Sequence, residues 1–236
     1  MDEMLEREKL YMQESMDAAI INAFRAAGRD IEITGTISEV SYIAEEADTN
    51  LKIGDEIVRV NDVEIHSLDD LRAIIEELDE DEQVQLYVVR DDEELECYAY
   101  TYNTDDGMKI GVSLLTTYEY TTNPEVSITS KASEAGSSGG LMMSLTIYNS
   151  LVPKDITGGK KIVGTGTIDI DGNVGEIGGV KYKLIGAVKN DADVFICPEE
   201  NYEEALSVAE DKNYDIQIIS VGTFLEAIEA LEELNN

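Results

Sequence analysis

The sequence predicts a mixed α/β fold in three parts: an amphipathic N-terminal helix, a β-rich sandwich or barrel domain, and an α/β domain. Three patterns predict it. Apolar residues recur at helical spacing before Gly28. Short alternating strands separated by turn residues then continue as far as Thr104. After the glycine-rich residues 136–140, strands alternate with helices, which is typical of a partly parallel sheet. We therefore predict domains at residues 1–29, 30–104 and 105–236.

The predicted first helix covers residues 2–27. Its apolar residues approximate one stripe, and Gly28 is a natural C-terminal stop. The stripe consists of Leu5, Leu10, Met12, Met16, Ala19, Ile20, Ala23 and Phe24.

The β-rich part has a recognisable order of elements. Turns at Gly54-Asp55 and Asn61-Asp62 flank a short strand, and Ser67 is placed to cap a helix whose apolar residues share one face. An acidic turn then separates two further strands. The predicted elements are strands at 31–40, 56–60, 83–90 and 94–101, and a helix at 68–78.

The segment LKIGDEIVRVNDVEI, residues 51–65, resembles a PDZ domain of the bacterial, circularly permuted kind. The resemblance extends over about residues 30–104. It implies a groove in which a peptide adds to a sheet as an extra strand. We predict that this groove lies between the first strand and the helix, and is formed by Ile33, Thr34, Gly35, Thr36, Ile37, Leu71 and Ile75. A PDZ-like module that serves only for packing is the alternative.

For residues 105–236, the sequence predicts strands and helices in alternation. The strands are predicted at residues 109–120, 125–136, 193–200 and 216–221, with a glycine-punctuated hairpin within 161–179. The helices are predicted at residues 141–151, 180–192, 201–210 and 223–234.

The stretch EAGSSGGLMMSL, Glu134 to Leu145, places two adjacent serines between glycines. Its short glycine-serine loop leads at once into an apolar helix, where unpaired backbone N–H groups can stabilise an oxyanion. A serine there needs a base, but the single histidine, His66, is not in this half of the chain. A lysine serves as a base only if burial lowers its pKa from about 10.4. Lys183, which starts an apolar helix after paired glycines, is the candidate.

These residues make the second half resemble the proteolytic domain of Lon-type serine–lysine peptidases. The loop Gly136-Ser137-Ser138-Gly139-Gly140 corresponds to the nucleophile motif, and the segment from Gly178 to Lys183 corresponds to the motif of the base. The resemblance implies that Ser138 is the nucleophile, Lys183 the base and Thr165 a residue that orients the lysine. It assigns Gly136, Ser137 and Gly139 to the oxyanion loop.

The chain departs from the Lon motif at three places. Ser137 and Gly139 stand where the motif has proline and alanine, so two hydroxyls compete for the role of nucleophile. We assign it to Ser138 because that residue is third of the five. Ala135 stands where many Lon proteins have an aspartate.

A PDZ domain joined to a Lon-type domain resembles the YlbL-like peptidases of Gram-positive bacteria. The resemblance implies an ATP-independent endopeptidase that acts on peptide or protein substrates at the extracytoplasmic face of the cell membrane, with a membrane tether in the full-length protein. The sequence has no GxxxxGK[ST] motif, which agrees with a mechanism without ATP. The alternative is a catalytically inactive peptide-binding adaptor or chaperone.

Composition narrows the classes of partner. The net charge of −34 disfavours binding to nucleic acid and to anionic lipid. The two cysteines, Cys97 and Cys197, match no metal-binding spacing and are predicted to be buried free thiols. We expect no cofactor and no metal. The oligomeric state stays open.

Overall fold

The computed structural model describes residues 2–65, 68–129 and 136–235, so His66, Ser67 and Ala135 lie outside the described residues. The chain forms two compact units. The first contains Met1–Glu14 and Ile33–Tyr120, and the second contains Ser15–Glu32 and Thr121–Asn236. The N-terminal helix is divided between the two units: the part up to Glu14 belongs to the first unit, and the part from Ser15 belongs to the second.

The first unit is built around an antiparallel sheet. Helix α1 (Asp2–Ala26) precedes strand β1 (Asp30–Ile43). The elements that follow are β2 (Glu56–Val60), β3 (Val63–Glu64), α2 (Leu68–Ile75), β4 (Gln83–Arg90), β5 (Glu93–Tyr100), β6 (Tyr102–Thr104), β7 (Gly107–Lys109) and β8 (Val112–Asn123). The main sheet has the order β5-β4-β2-β1-β8, with β3 paired to β2. Strands β6 and β7 form a separate hairpin.

The core of the first unit lies where α2 packs against this sheet. Leu71 and Ile75 of α2 are buried beside sheet residues such as Val60 and Leu86. A buried ion pair fixes the turn before β2. Asp55 is fully buried and accepts hydrogen bonds from Arg90 Nε at 2.6 Å, from Arg90 Nη2 at 2.7 Å and from the backbone N–H of Lys52 at 2.7 Å. The carboxylate of Asp55 therefore stabilises the predicted turn at Gly54-Asp55.

The second unit contains a three-stranded parallel sheet and its helices. A 3-10 turn (Ser137–Gly139) leads into α3 (Gly140–Leu151). The rest comprises β9 (Ile162–Gly164), β10 (Thr167–Ile168), β11 (Val174–Gly175), α4 (Val180–Lys189), β12 (Val194–Pro198), α5 (Glu199–Lys212), β13 (Gln217–Val221) and α6 (Phe224–Glu233). The parallel sheet has the order β13-β12-β9, and β10 and β11 form an antiparallel hairpin.

Helix α1 is less amphipathic than the sequence suggests. Leu5 in its first half is 49% exposed, whereas residues 17–24 are all buried, including the polar Asp17 and Asn22. Asn22 Nδ2 donates to the backbone carbonyls of Ala18 and Asp169, each at 2.8 Å. The second half of α1 is therefore a core helix of the second unit, because its polar side chains find partners there.

Two expectations about the chain differ from the structure. The sequence predicted a boundary after Thr104, whereas residues 105–120 pack within the first unit, because β8 continues its sheet beside β1. The sequence also predicted a strand over residues 125–136. Residues 125–129 form no strand, and residues 130–135 lie outside the described part of the chain. The two free cysteines are buried, as predicted.

The length and hydropathy of the helices can be compared with the requirements of a membrane span. Within the part of the chain that the structure describes, no helix is both long enough and apolar enough to cross a bilayer.

Candidate active site

The glycine-serine loop forms a tight turn at the entry to α3. Gly136 has φ 96° and ψ 160°, and the following residues Ser137–Gly139 make a single 3-10 turn that runs directly into the helix. A φ of this sign favours glycine. The loop is therefore a fixed turn that holds Ser138 at a helix N-terminus and is not a linker.

Gly140 shows why the loop needs small residues. A Cβ at this position would lie 2.6 Å from Ser15 Oγ and 2.7 Å from Ile168 Cγ2. Ser15 itself donates from its hydroxyl to the carbonyl of Ser137 at 3.2 Å. The close approach of α1 and β10 to the backbone therefore sets the position of the turn, and a larger side chain at Gly140 would displace it.

The carbonyl of Ser138 is held by two donors from the segment after β9. Gly166 N–H donates to it at 3.0 Å, and the Thr165 hydroxyl donates to it at 2.9 Å. Gly166 also accepts from the N–H of Leu141 at 3.1 Å. The sequence predicted that Thr165 orients the lysine. Its hydrogen bond goes instead to the residue of the predicted nucleophile, because the GTGT segment lies alongside the loop.

Lys183 reaches Ser138 from α4. Lys183 Nζ and Ser138 Oγ are hydrogen bonded at 2.8 Å, although the two residues are 45 positions apart in the sequence. Gly179, with φ 73° and ψ 34°, adopts a left-handed conformation immediately before the helix and so directs its first turn. The structure thus brings together the two residues that the sequence predicted as the dyad.

The environment of Lys183 favours its neutral form. Burial lowers the pKa of Lys183 below its ordinary value, because desolvation disfavours the ammonium. The residue also lies in the first turn of α4, where the positive end of the helix dipole acts in the same direction. A neutral amine beside a serine hydroxyl can accept its proton.

The three segments that carry Ser138, Thr165 and Lys183 differ in charge from the rest of the chain. Residues 136–154, 156–168 and 177–190 carry the loop, Thr165 and Lys183, and they contain no Asp or Glu, although the chain has 51. A carboxylate close to Lys183 would stabilise the ammonium and raise its pKa. These segments therefore contribute no carboxylate that would oppose the effect of burial on the pKa of Lys183.

Sequence reasoning missed three contributors to this arrangement. They are Ser15, Gly140 and Gly166. Gly166 could have been found from the glycine-punctuated GTGT segment, and Gly140 from the five-residue motif. Ser15 carries no signal, because it is one polar residue on a helix that is far from the loop in the sequence.

The first unit has its own concave surface, a groove of about 700 Å³ beside α2. We call it the α2 groove. It is lined by α2 residues including Leu71, Arg72 and Ile75, by the β6–β7 hairpin, and by residues 110–114 at the start of β8. Leu71 and Ile75 were predicted to line it.

The other five predicted groove residues lie elsewhere. Ile33, Thr34, Gly35, Thr36 and Ile37 belong to β1 and do not line the α2 groove. Among the described strands, β5 and β8 are at the two edges of the sheet, whereas β1 lies between β2 and β8 in the strand order. An added strand pairs with an edge strand, and of these two β8 is the one whose residues line the α2 groove.

Two regions of the chain match known protein families. Residues 31–99 match the PDZ domain family, and residues 124–233 match the family described as the Lon protease (S16) C-terminal proteolytic domain. The chain is 35% identical over 95 residues to a Lon protease of Campylobacter jejuni, and 32% identical over 89 residues to a Lon protease of Mesomycoplasma hyopneumoniae.

The aligned regions have limited extent. They cover 40% and 38% of this chain but only 12% and 10% of those two relatives. Among solved structures, a PDZ domain of an SdrC-like protein from Listeria monocytogenes is similar over 36% of this chain and 93% of its own, at 16% identity and a TM-score of 0.31. The chain therefore joins a region that matches the PDZ domain to a region that matches the Lon-type proteolytic domain, and it spans about a tenth of the length of the two Lon protease relatives.

Proposed function

We propose that this chain is an ATP-independent serine endopeptidase that uses a Ser138–Lys183 dyad. The observation that carries the proposal is the 2.8 Å hydrogen bond between Lys183 Nζ and Ser138 Oγ. It is supported by the burial that lowers the pKa of Lys183 and by the Lon-type domain in which both residues lie.

The proposed chemistry proceeds through an acyl-enzyme. Neutral Lys183 takes the proton of Ser138 as Oγ attacks a peptide carbonyl, and the resulting ammonium then gives that proton to the leaving amine. Water, deprotonated by the same lysine, attacks the ester and releases the acyl product, and Ser138 regains its proton. The lysine thus begins and ends each cycle neutral.

The oxyanion is assigned to backbone N–H groups near Ser138. The 3-10 turn and the first turn of α3 direct N–H groups toward the N-terminal end of the helix, where a negative charge is favoured. The fixed carbonyl of Ser138 supports this role, because the hydrogen bonds from Gly166 and Thr165 orient the peptide plane between Ser138 and Gly139.

The α2 groove is proposed to engage the substrate. A peptide segment that pairs with β8 would place alternate side chains against Leu71 and Ile75. Two roles are open to such binding. As a tether, it raises the local concentration of substrate at Ser138 and lowers the apparent KM. As a gate, it changes kcat.

The proposed location is the extracytoplasmic face of a Gram-positive cell membrane, with a tether in the full-length protein. The support for it is the resemblance to YlbL-like peptidases. The test is digestion of intact cells that express the tagged full-length protein. Loss of the tag to an added protease supports the location, and a tag that is cut only after lysis contradicts it.

The activity is tested by labelling and by turnover. A serine-directed fluorophosphonate is expected to modify Ser138, as located by peptide mapping, and a pool of peptides is expected to be cut equally well with and without ATP. Absence of both labelling and cleavage would favour the inactive adaptor or chaperone. Cleavage that requires ATP would contradict the ATP-independent mechanism.

A further inference from the structure

The second unit has a groove between helix α5 and strand β13, at one edge of its parallel sheet. The groove has a volume of about 480 Å³, and we call it the α5 groove. This volume lies within the range of roughly 300–1,000 Å³ that is typical of ligand pockets. Six of its lining residues are apolar or aromatic: Tyr202, Leu206, Ala209, Tyr214, Ile216 and Ile218. The α5 groove therefore has room for several side chains of a bound segment.

Strand β13 has the properties of a strand that can accept a partner. Within the described residues it pairs only with β12, so it is an edge of its sheet. The N–H of Gln217 donates toward β12, to the carbonyl of Asp193 at 3.4 Å. Because successive N–H groups of a strand alternate in direction, those of Ile218 and Ser220 point to the open side. Edge strands commonly avoid pairing by means of a charge or a proline, and the sequence QIISV of β13 contains neither.

The rim of the α5 groove is acidic. Glu210 and Asp215 line it and are both exposed, whereas no Lys or Arg lines it. Neither carboxylate forms an ion pair with any residue that the structure describes. Helix α5 itself has six acidic residues and one lysine. A cation on a bound segment would therefore meet carboxylates that have no cationic partner of their own.

We propose that the α5 groove binds an extended segment of a partner protein in which apolar residues and Lys or Arg share one face. The backbone of the segment adds to β13 as a further strand, and its apolar side chains contact Leu206 and Ile218. The cationic side chains lay their aliphatic stems along the groove and place their charges at Glu210 and Asp215.

The charge of the rim argues against a second copy of this chain as the occupant. Two copies paired through β13 would bring the same carboxylates together, and like charges across an interface are unfavourable. The proposal goes beyond the proposed peptidase activity, because binding at the α5 groove does not depend on Ser138 or Lys183. It would hold equally for an inactive adaptor.

The test uses the full chain carrying Ser138→Ala, so that the probe is not cut, and a labelled peptide of the repeat Lys-Thr-Leu-Thr. In an added strand this repeat places Lys and Leu on one face and Thr on the other. Hydrogen exchange locates the peptide, and the amides of Ile218 and Ser220 are expected to become protected when it binds. Protection of β8 without protection of β13 would place the peptide in the α2 groove and overturn the proposal, as would an absence of binding.

Charge reversal at the rim tests which chemistry attracts the peptide. Glu210→Lys combined with Asp215→Lys is expected to raise the Kd of the peptide at least about tenfold. The matched control combines Glu204→Lys with Asp211→Lys. These two residues are exposed, lie on the opposite side of α5 and do not line the groove, so a change in Kd of less than about threefold is expected. Equal increases in both double variants would show that overall charge attracts the peptide, and the assignment to the groove would fail.

A proline in β13 tests the pairing of backbones. Ser220→Pro removes one N–H from the open side and leaves those that point to β12, whereas Ser220→Ala keeps both. The proline variant is expected to raise Kd at least about fivefold, and the alanine variant to leave it unchanged. Equal Kd values in the two folded variants would contradict strand addition. Thermal unfolding checks the fold, and if the proline variant does not fold, hydrogen exchange and charge reversal decide.

Sedimentation of the protein without peptide tests the other occupant. The protein is expected to show no self-association through β13, so that the charge reversals at Glu210 and Asp215 leave its sedimentation unchanged. A dimer that is present in the parent protein and strengthened by one of these reversals in only one of two mixed copies would assign the edge to a second copy and overturn the proposal.

Discussion

The α2 groove of the first unit differs in size and in charge from a small pocket beside α3 in the second unit. This α3 pocket is lined by Ile128, Gly139, Met142, Met143, Thr146 and Ile147. The groove has about 700 Å³, and its lining includes Arg72, Glu76, Asp106 and Lys109. The pocket has about 260 Å³ and an uncharged lining. A larger surface with charges of both signs suits a peptide segment of varied sequence, whereas a small apolar pocket suits one side chain.

The two surfaces also differ in the backbone segments that border them. The groove borders an edge strand, β8, which can pair with any peptide backbone. The pocket borders a fixed turn in which Ser138 is held by hydrogen bonds from another segment. In our proposal the α2 groove contributes affinity, and the second unit contributes the chemistry through Ser138 and Lys183. Variants in one unit should therefore change different kinetic constants from variants in the other.

The largest effect is expected from Ser138→Ala. Removing the proposed nucleophile should lower kcat by at least about 10³-fold, while peptide binding to the first unit stays intact. Peptide turnover measures the first effect, and binding of a labelled, uncleaved peptide measures the second. Ser137→Ala is the control and is expected to lose less than about tenfold. The reverse result, with Ser137 essential and Ser138 dispensable, would show that the other hydroxyl is the nucleophile.

Substitution of Lys183 should have the next largest effect. Both Lys183→Arg and Lys183→Ala are expected to lose at least about 10²-fold in kcat, because guanidinium retains its proton at any working pH and alanine has no base. Lys181→Arg, on the exposed side of the same helix, is the matched control and should keep its activity. An arginine variant at Lys183 with most of the wild-type rate would rule out the dyad.

The pH dependence of the wild type tests the same residue. Burial lowers the pKa of Lys183, and only the neutral amine accepts a proton, so the fraction of competent enzyme increases as the pH rises. The rate of acylation should therefore rise through an apparent pKa below the ordinary lysine value of about 10.4. A rate that rises only near that ordinary value would contradict the proposed role of burial.

The two units also differ in how much of each candidate site the sequence predicted. Ser138 and Lys183 were predicted from short motifs, because the turn and the helix start that position them depend on nearby glycines. The groove was predicted only on its helical side. Its other side is β8, and the order of strands in a sheet is set by long-range pairing that local patterns do not contain. Ser15 was missed for the same reason.

Asp55→Asn should lower the stability of the first unit and leave the stability of the second unit unchanged. The substitution weakens a buried pair in which Arg90 Nε lies 2.6 Å from Asp55 Oδ1, and breaking such a pair costs about 3 kcal/mol of unfolding free energy. Denaturant unfolding followed by hydrogen exchange would locate the loss. Cleavage of a short peptide should persist under native conditions. Asp69→Asn, whose carboxylate is 91% exposed, is the matched control and should have little effect.

The smallest expected effect concerns the role of the α2 groove. Deleting the first unit cannot test it cleanly, because a truncation to Thr104 would also remove Ser15, which donates to the loop at Ser137. A point substitution of Arg72 avoids this problem, since its side chain is 63% exposed at the groove.

With Arg72→Glu, tethering predicts that KM for a long substrate rises severalfold while kcat and the cleavage of a short peptide stay unchanged. Gating predicts instead that kcat changes, since the groove would then control the competent fraction of enzyme. Arg59→Glu reverses the same charge outside the groove lining and serves as the control for net charge. Equal KM shifts in both variants would show that substrate attraction to the first unit is a matter of overall charge, and the groove would lose its special role.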